Sequence, residues 1–189
     1  NHVRILRGPA LMASVLALAA SPAMAAGMPL LHASVAAVSD ARFRGISLSG
    51  GDPAVQGELS AASGGWFAGL WGSSVRDVGG SGELDATVGW TKRLPLFDAS
   101  FGATLYAWPG SGRQASAELF TTASLPLGPA TATLGATWAP ARHALTGSSR
   151  YVFGQLRAGI PLLPVTLKAA AGHEAISAID ADGRARHGK

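Results

Sequence analysis

The sequence has no cysteine and little charge. Without cysteine, no disulfide can hold the fold together. Charged residues make up 14% of the chain, against about a quarter in an average soluble domain, which predicts a surface poor in charge. The formal net charge is only +4 and the cations are scattered. This distribution argues against a nucleic-acid footprint, and we expect no nucleic-acid partner.

Signatures of catalysis and of metal binding are also missing. The five histidines lie far apart, without metal-ligand spacing, at positions 2, 32, 143, 173 and 187. There is no G-x-S-x-G motif, and the glycine-rich stretch 79–82 lacks the strand–loop–helix context that phosphate binding needs. A serine–histidine–acid site can form by spatial proximity, so a lipid hydrolase stays an open alternative. The sequence predicts a protein that is not an enzyme and uses no cofactor or metal.

The only long apolar stretch lies at the amino terminus, where residues 1–26 resemble a cleaved secretory signal. Arg4 and Arg7 provide a positive start, 10–20 an apolar core, and 23–25 a small-residue cleavage site. This core is too short to span about 30 Å of hydrocarbon. The sequence therefore predicts an exported mature chain.

What the chain has in abundance is alternation of apolar and polar residues with a period of two, the pattern of β-strands. In one run, for example, Leu84 and Val88 alternate with Asp85. Such runs approach the roughly 9 to 11 residues that a tilted strand needs to cross a bilayer. Nine of them cover 31–43, 54–61, 66–74, 83–91, 99–108, 114–125, 130–138, 150–160 and 165–174.

The connections between the runs alternate in length. Those after odd-numbered runs are mostly longer and polar: 44–53, 75–82, 109–113 and 139–149. Those after even-numbered runs are mostly short: 62–65, 92–98, 126–129 and 161–164. This order places every long loop at one end of a sheet, as in outer-membrane barrels with short periplasmic turns and longer external loops.

The polar face of these runs is the candidate functional surface. A cation on the lipid face of a barrel costs roughly 2–4 kcal/mol at the bilayer midplane, so the apolar face must point outward and the charges inward. Two interpretations stay open: a water-filled lumen that selects solutes, or a narrow barrel whose acids and bases pair and fill the interior. The predicted lumen-lining residues are Arg42, Gln56, Glu58, Glu83, Asp85, Gln114, Glu118, Gln155, Arg157 and Lys168.

A soluble periplasmic β-barrel or sandwich that binds a small apolar ligand is the competing class. Its interior would be the apolar face, which reverses every assignment above. A soluble barrel needs a charged exterior, whereas this one would expose mostly serine, threonine and a few acids. The sequence therefore favours the membrane.

The number of runs raises a question of completeness. Nine is odd, whereas bacterial barrels normally have an even number of strands. Residues 175–189 break the alternation and resemble a loose polar tail. Either a strand is miscounted or the carboxyl end is missing or altered. The predicted organisation is a signal at 1–26, a barrel at 27–174 and a tail at 175–189.

Several motifs, in order and closely spaced, resemble the TorF family, a proteobacterial group of outer-membrane porins also catalogued as conserved proteins of unknown function. They are F-R-G-I-S-L-S (43–49), P-A-V-Q-G-E-L (53–59) and F-A-G-L-W-G-S-S-V (67–75), with E-L-D (83–85), Y-A-W-P-G (106–110) and A-G-H-E (171–174). The resemblance covers about residues 33–174 and implies an outer-membrane β-barrel and a channel, with no catalytic residues. The chain departs from it at Ala41, where members carry an aromatic residue. It departs again at Lys189, because barrels generally end on an aromatic-ended strand that the assembly machinery recognises.

Together these features predict an all-β protein, an antiparallel transmembrane β-barrel of about 9–12 strands in the outer membrane. We expect a porin that allows passive diffusion of small solutes, with a structural, non-conducting barrel as the alternative. Its expected partners are outer-membrane lipid, the barrel assembly machinery and, for a pore, small solutes.

Overall fold

A computed structural model describes residues 14–19 by their backbone, and 29–75, 82–112, 115–140, 147–163 and 165–177 with their side chains. The rest of the predicted signal sequence and the predicted tail beyond Ser177 lie outside these ranges. No helix in the described ranges is long and apolar enough to span a membrane.

In the described residues, ten strands form one sheet in which the strands pair in chain order, with β5 following β2, and always antiparallel. A separate two-stranded hairpin, β3–β4, interrupts the series between β2 and β5. The strands of the described ranges are β1 (Ser14–Ala19), β2 (Leu30–Val38), β3 (Arg42–Phe43), β4 (Ile46–Ser47), β5 (Ala54–Ser63), β6 (Trp66–Ser73), β7 (Glu83–Arg93), β8 (Asp98–Ala107), β9 (Ser116–Leu127), β10 (Ala130–Ala139), β11 (Ser149–Gly159) and β12 (Thr166–Ile176).

The period-two runs predict these strands closely. Each run contains one long strand of the sheet, and the ends agree within about two residues everywhere except in the first run. The all-β, antiparallel prediction is therefore confirmed. Strand β12 continues to Ile176, two residues past the predicted end of the barrel.

The strand predicted from the first run is wrong at its carboxyl end. The chain bends after β2, and Arg42–Phe43 pairs with Ile46–Ser47 instead of continuing the strand. Arg44 and Gly45 form the turn with φ of 51° and 84°, the left-handed pair of a tight hairpin. Local hydrogen bonds hold the bend, since Ser47 donates to Asp40 at 2.6 Å. The predicted external loop 44–53 is thus partly an ordered hairpin.

The predicted alternation of connection lengths is confirmed in the described residues. Gly64 and Gly65 alone join β5 to β6, with φ of 58° and 89°. The short connections 64–65, 94–97, 128–129 and 160–165 share one end of the sheet. The long connections 39–53, 74–82, 108–115 and 140–148 share the other. Antiparallel neighbours joined in sequence require this sorting.

Exposure on the two faces is the reverse of that in a soluble sheet. Apolar side chains lie open on one face, with Val88 53% and Leu134 70% exposed. On the other face the residues Glu83 and Glu118 are only 7% and 6% exposed. In the described ranges the buried hydrophobic residues are Ala41, Ala54 and Val75, around the long connections. The small core therefore lies at the long-loop end, and the polar face is the covered one.

The sheet is open where the structure describes it. No pairing joins β1 to β12, and every residue of β12 is exposed. The large antiparallel sheet is thus established, while its predicted closure into a barrel is not seen in these residues. The edge strand β12 presents unpaired backbone groups that a further strand could use.

Candidate functional site

The hairpin β3–β4 folds back over the polar face and places Arg44 against strands distant in sequence. The Arg44 side chain is 14% exposed, and its guanidinium forms an ion pair with Glu118 of β9 and donates at 3.0 Å to Glu174 of β12. It also donates at 3.0 Å to the Thr137 hydroxyl of β10. The Tyr106 hydroxyl donates a hydrogen bond to the second carboxylate oxygen of Glu118, Oε2, at 2.9 Å. We call Arg44, Glu118, Thr137, Glu174 and Tyr106 the arginine cluster.

Aromatic rings enclose the same guanidinium. Its carbon lies 4.2 Å from the ring centroid of Tyr151 and 4.7 Å from that of Phe43. Phe43 in turn packs edge-on against Tyr106, with centroids 5.9 Å apart. Cation–π contact strengthens with desolvation, so these rings and the buried carboxylate together fix the hairpin on the sheet.

Two acids of β7, Glu83 and Asp85, line a cavity of about 190 Å³ together with residues of the hairpin segment. Asp85 on β7 stands directly across from Trp71 on β6 and from Tyr106 on β8. The Tyr106 hydroxyl donates to Glu118, so Tyr106 belongs to the arginine cluster although it is the β8 neighbour of Asp85. We call the space the acidic cavity; its lining is Ala41, Arg42, Phe43, Leu48, Gln56, Trp71, Glu83 and Asp85.

Two polar atoms near the acidic cavity lack a hydrogen-bond partner in the part of the chain that the structure describes. They are Oδ1 of Asp85 and Oγ of Ser73, both shielded from solvent. Ser73 is 6% exposed and lies directly across from Glu83, on the same face as Asp85. Buried polar atoms are usually paired, and leaving one unpaired costs about 1–3 kcal/mol.

Below both sites, toward the short turns, aromatic rings lie over glycines of the polar face. The ring of Phe67 covers Gly89 and the ring of Phe120 covers Gly102, so a Cβ at either glycine would overlap a ring. The two ring centroids are 6.3 Å apart. The glycines thus make room for rings that lie flat against the wall of the sheet.

The hairpin carries an acid of its own at the long-loop end. Hydrogen bonds from Ser47 and Ser49, and the neighbouring Arg42 guanidinium at 2.6 Å, hold the pKa of Asp40 below its ordinary value. Asp40 therefore stays ionised and keeps Arg42 engaged.

A model of a family described as a bacterial protein of unknown function, Gcw_chp, matches residues 22–183. The chain belongs to the Gcw_chp family. No curated protein and no solved structure matches it. The Gcw_chp description assigns no activity and names no porin, so the resemblance to TorF stays a prediction.

In this Gcw_chp chain the predicted lumen residues lie in different parts of the polar face. Arg42, Gln56, Glu83 and Asp85 meet at the acidic cavity, whereas Glu118 belongs to the arginine cluster.

The other predicted lumen residues lie apart from these two sites. Glu58 is exposed on β5, and Gln155 lies on β11. Arg157 faces Lys168 directly across β11 and β12, both exposed. Gln114 lies outside the described residues. The described residues contain no group of three or more side chains suited to a metal ion.

Sequence reasoning missed most of the arginine cluster and the rings of the wall: Arg44, Tyr106, Thr137, Glu174, Phe67 and Phe120 are absent from the predicted lumen set. The glycine at position 45, which follows a short alternating stretch, is a local signal for a tight turn at Arg44-Gly45. The partners of Arg44, 74 and 130 residues away, leave no local signal. Phe67 lies in a run that is apolar on both faces, so its inward direction could not be phased.

Proposed function

We propose that the chain is an exported outer-membrane protein whose sheet closes into a transmembrane β-barrel, and that its polar face lines a narrow passage for small solutes. The observation that carries this proposal is the inverted exposure of the two faces. Val88 and Leu134 are exposed while Glu83 and Glu118 are covered. Only a nonpolar surrounding makes that arrangement favourable, because exposed apolar area costs about 25 cal/mol per Å² in water.

The exposed apolar face extends across the whole sheet. It includes Val35, Val55, Leu59, Leu70, Leu84, Val88, Phe101, Leu105, Leu119, Leu134, Val152 and Leu156. A continuous apolar surface of this kind is typical of membrane or protein contact. It weighs against the soluble periplasmic barrel, in which these side chains would point inward. Sorted connections support the same proposal, with short turns at the periplasmic end.

Strand number bears on closure. From β2 to β12 the sheet has nine strands, so these two edges run parallel, whereas β1 and β12 run antiparallel. A closed sheet of antiparallel neighbours needs an even number of strands. Strand β1 supplies the tenth, but it lies in the predicted signal sequence. Removal of residues 1–26 would require another strand at that place. Mass spectrometry of the mature amino terminus, read together with the test below, decides whether β1 belongs to the barrel.

The proposed barrel is tested by heat modifiability on a gel. The chain is expressed with its signal, the outer membrane is separated, and detergent-refolded protein is run boiled and unboiled. A closed barrel resists unfolding at room temperature, so the unboiled band should migrate differently from the boiled one. A protein that stays soluble without detergent and migrates identically in both lanes would overturn the proposal.

A non-conducting barrel is the second candidate, and specific contacts favour it. The hairpin β3–β4 crosses the polar face and is fixed there by Arg44. Phe67 and Phe120 occupy space on the same face. Refolded protein in planar bilayers separates the two candidates: discrete conductance steps support a passage, and reproducible silence from protein that is heat-modifiable leaves the structural role.

A further inference from the structure

The short-turn end of the sheet exposes large apolar side chains where turns usually carry polar residues. Proline–leucine pairs lie in or beside three of its four connections, at 95–96, 126–127 and 161–162. Leu96 is 75% exposed and Leu162 is fully exposed. We call the exposed side chains of these turns the short-turn rim; they are Leu96, Phe97, Leu127, Leu162 and Leu163.

Ordered turns hold this rim outward. The backbone N–H of Leu94 donates to the carbonyl of Phe97 at 2.9 Å, and that of Ile160 to the carbonyl of Val165 at 2.9 Å. Leu162 adopts a φ of 68°, a left-handed conformation that favours glycine and is unfavourable for a bulky side chain. Backbone strain of this kind persists where a contact uses it. The strained turn therefore indicates a contact partner for Leu162.

The rim continues the apolar face of the sheet. Leu125 and Leu127 at the end of β9 and Leu167 at the start of β12 are exposed on that face and lead directly into the turns. Trp66 follows the Gly64-Gly65 turn and is 61% exposed on the same face. Tryptophan is enriched where a membrane meets water. The surface proposed to contact lipid thus extends past the strands onto the short turns.

Cations surround the rim. Lys92 and Arg93 end β7, and Arg157 and Lys168 lie two residues from the connection 160–165, all four exposed. Asp98 is the one acid among the described residues beside the short connections, and it pairs loosely with Arg93 at 3.5 Å. The described part of this end therefore carries an excess of positive charge.

Arg157 and Lys168 lie directly across from each other on β11 and β12. Like charges in this position repel, and no ion pair of the described residues includes either side chain. The four short connections contain no acidic residue in their sequence. An anion from outside the chain would relieve this repulsion.

We propose that the short-turn end binds the surface of an anionic phospholipid leaflet, with the rim at the acyl boundary and the four cations against phosphate groups. Surfaces that combine leucine with lysine and arginine bind anionic lipid through buried apolar area and charge attraction. Long cationic side chains beside an apolar surface reach the headgroups. The inference deepens the proposed function and rests on it, because it names the lipid class that the periplasmic end of the barrel meets.

The position of the rim is tested with a fluorophore, since a chain without cysteine accepts a single labelled cysteine. Leu162→Cys carries an NBD dye, and the full chain is refolded into phosphatidylcholine vesicles. Pro109→Cys, at an exposed residue of the long connection 108–115, is the control. We expect aqueous acrylamide to quench the dye at 109 and to reach the dye at 162 much less. Equal quenching at both positions would overturn the inference.

The headgroup is tested with spin-labelled lipid. The vesicles contain the same small fraction of a spin-labelled lipid that carries either a phosphatidylglycerol or a phosphatidylcholine headgroup. The dye at 162 should be quenched at least about twofold more strongly by the anionic lipid, because the cations enrich it locally. This excess should fall in high salt, which screens the attraction. Equal quenching by the two lipids contradicts the inference. Shielding from acrylamide without quenching by either lipid would mean that a protein or a second copy of this chain covers the rim, which also overturns it.

The cation pair has its own variant. Arg157→Gln combined with Lys168→Gln should bring the quenching ratio of the two lipids toward one. Arg150→Gln is the control, because Arg150 is an exposed cation at the opposite end of β11. A ratio that is unchanged in the double variant, or lowered as much by Arg150→Gln, contradicts the assignment. If the double variant does not fold, the salt series of the otherwise unchanged chain decides the same question.

The gel test on the same samples separates this inference from the proposed function. A heat-modifiable protein whose dye is quenched equally by both lipids keeps the barrel and loses the lipid preference. A protein that shows no heat shift and leaves the dye at 162 open to acrylamide loses both.

Discussion

The arginine cluster and the acidic cavity lie on the same polar face, and Glu118 of the first differs from Asp85 of the second in the partners that folding provides. The carboxylate of Glu118 forms an ion pair with Arg44 and accepts hydrogen bonds from Thr137 and Tyr106, which lie on three other segments. Asp85 lies among aromatic and amide side chains, with one oxygen that lacks a partner in the described residues. Folding therefore supplies the carboxylate of Glu118 with partners from three segments, which it does not do for Oδ1 of Asp85 in the described residues. A buried acid stabilises a fold only when its partners come with it.

The largest effect should come from breaking the completed site. Arg44→Leu leaves the buried Glu118 without its cation, which typically costs about 3–5 kcal/mol. Urea unfolding of the refolded protein, followed by loss of the unboiled gel band, measures the change. Arg93→Leu is the control, since Arg93 is 89% exposed and pairs loosely with Asp98 at 3.5 Å; we expect at most about 1 kcal/mol there.

The double variant Arg44→Leu with Glu118→Gln checks the cause. Removing the buried charge together with its partner should recover much of the stability lost in the single variant. A double variant as unstable as the sum of its parts would mean that the ion pair is not what holds the hairpin.

The two acids themselves provide the most direct comparison. Glu118→Gln weakens charge-assisted hydrogen bonds and should cost about 1.5–3 kcal/mol. Asp85→Asn removes a charge that has fewer partners, so its free energy of unfolding should stay within about 1 kcal/mol of the parent or rise. Urea unfolding measures the free energy of unfolding of both variants. Equal losses would show that the two sites are not different in kind.

The glycines beneath the aromatic rings of the polar face allow the packing of those rings to be tested. Gly102→Ala would push its Cβ to 2.6 Å from the Phe120 ring and against the backbone of β7, and overpacking of this kind costs about 1–3 kcal/mol. Gly57→Ala is the control, because its Cβ would meet only the Ser34 carbonyl at an ordinary 3.8 Å. If the two variants unfold alike in urea, the rings do not pack on the glycines.

The smallest effect concerns pH and the hairpin. The pKa of Asp40 is lowered by Ser47 and its other partners, so its contribution is present above the ordinary range of an aspartate, about 3.9. That contribution is lost as the pH falls through the lowered pKa. We expect a slightly steeper loss of stability on acidification below about pH 4 in the parent than in Asp40→Asn. Parallel pH profiles of the two proteins would assign Asp40 no role in the hairpin.

The strands and the ends of the sheet were predictable because their signals are local. Alternation at Leu84 and Val88 against Asp85 follows from the period of two in a strand, and Gly64-Gly65 is a turn by its own φ preference. The position of the hairpin was not predictable. Arg44 is fixed by Glu118 and Glu174, whose distance in sequence leaves no pattern around Arg44.

The sequence by itself determined an antiparallel all-β chain with one apolar and one polar face and with long connections at one end, because each of these follows from neighbours in the chain. Only the tertiary structure decided which acids Arg44 meets. Glu118 and Asp85 are alike in sequence context, each an acid on the polar face of an alternating strand. The direction of one hairpin, set by contacts between distant strands, gives Arg44 to the first and leaves the second facing a cavity.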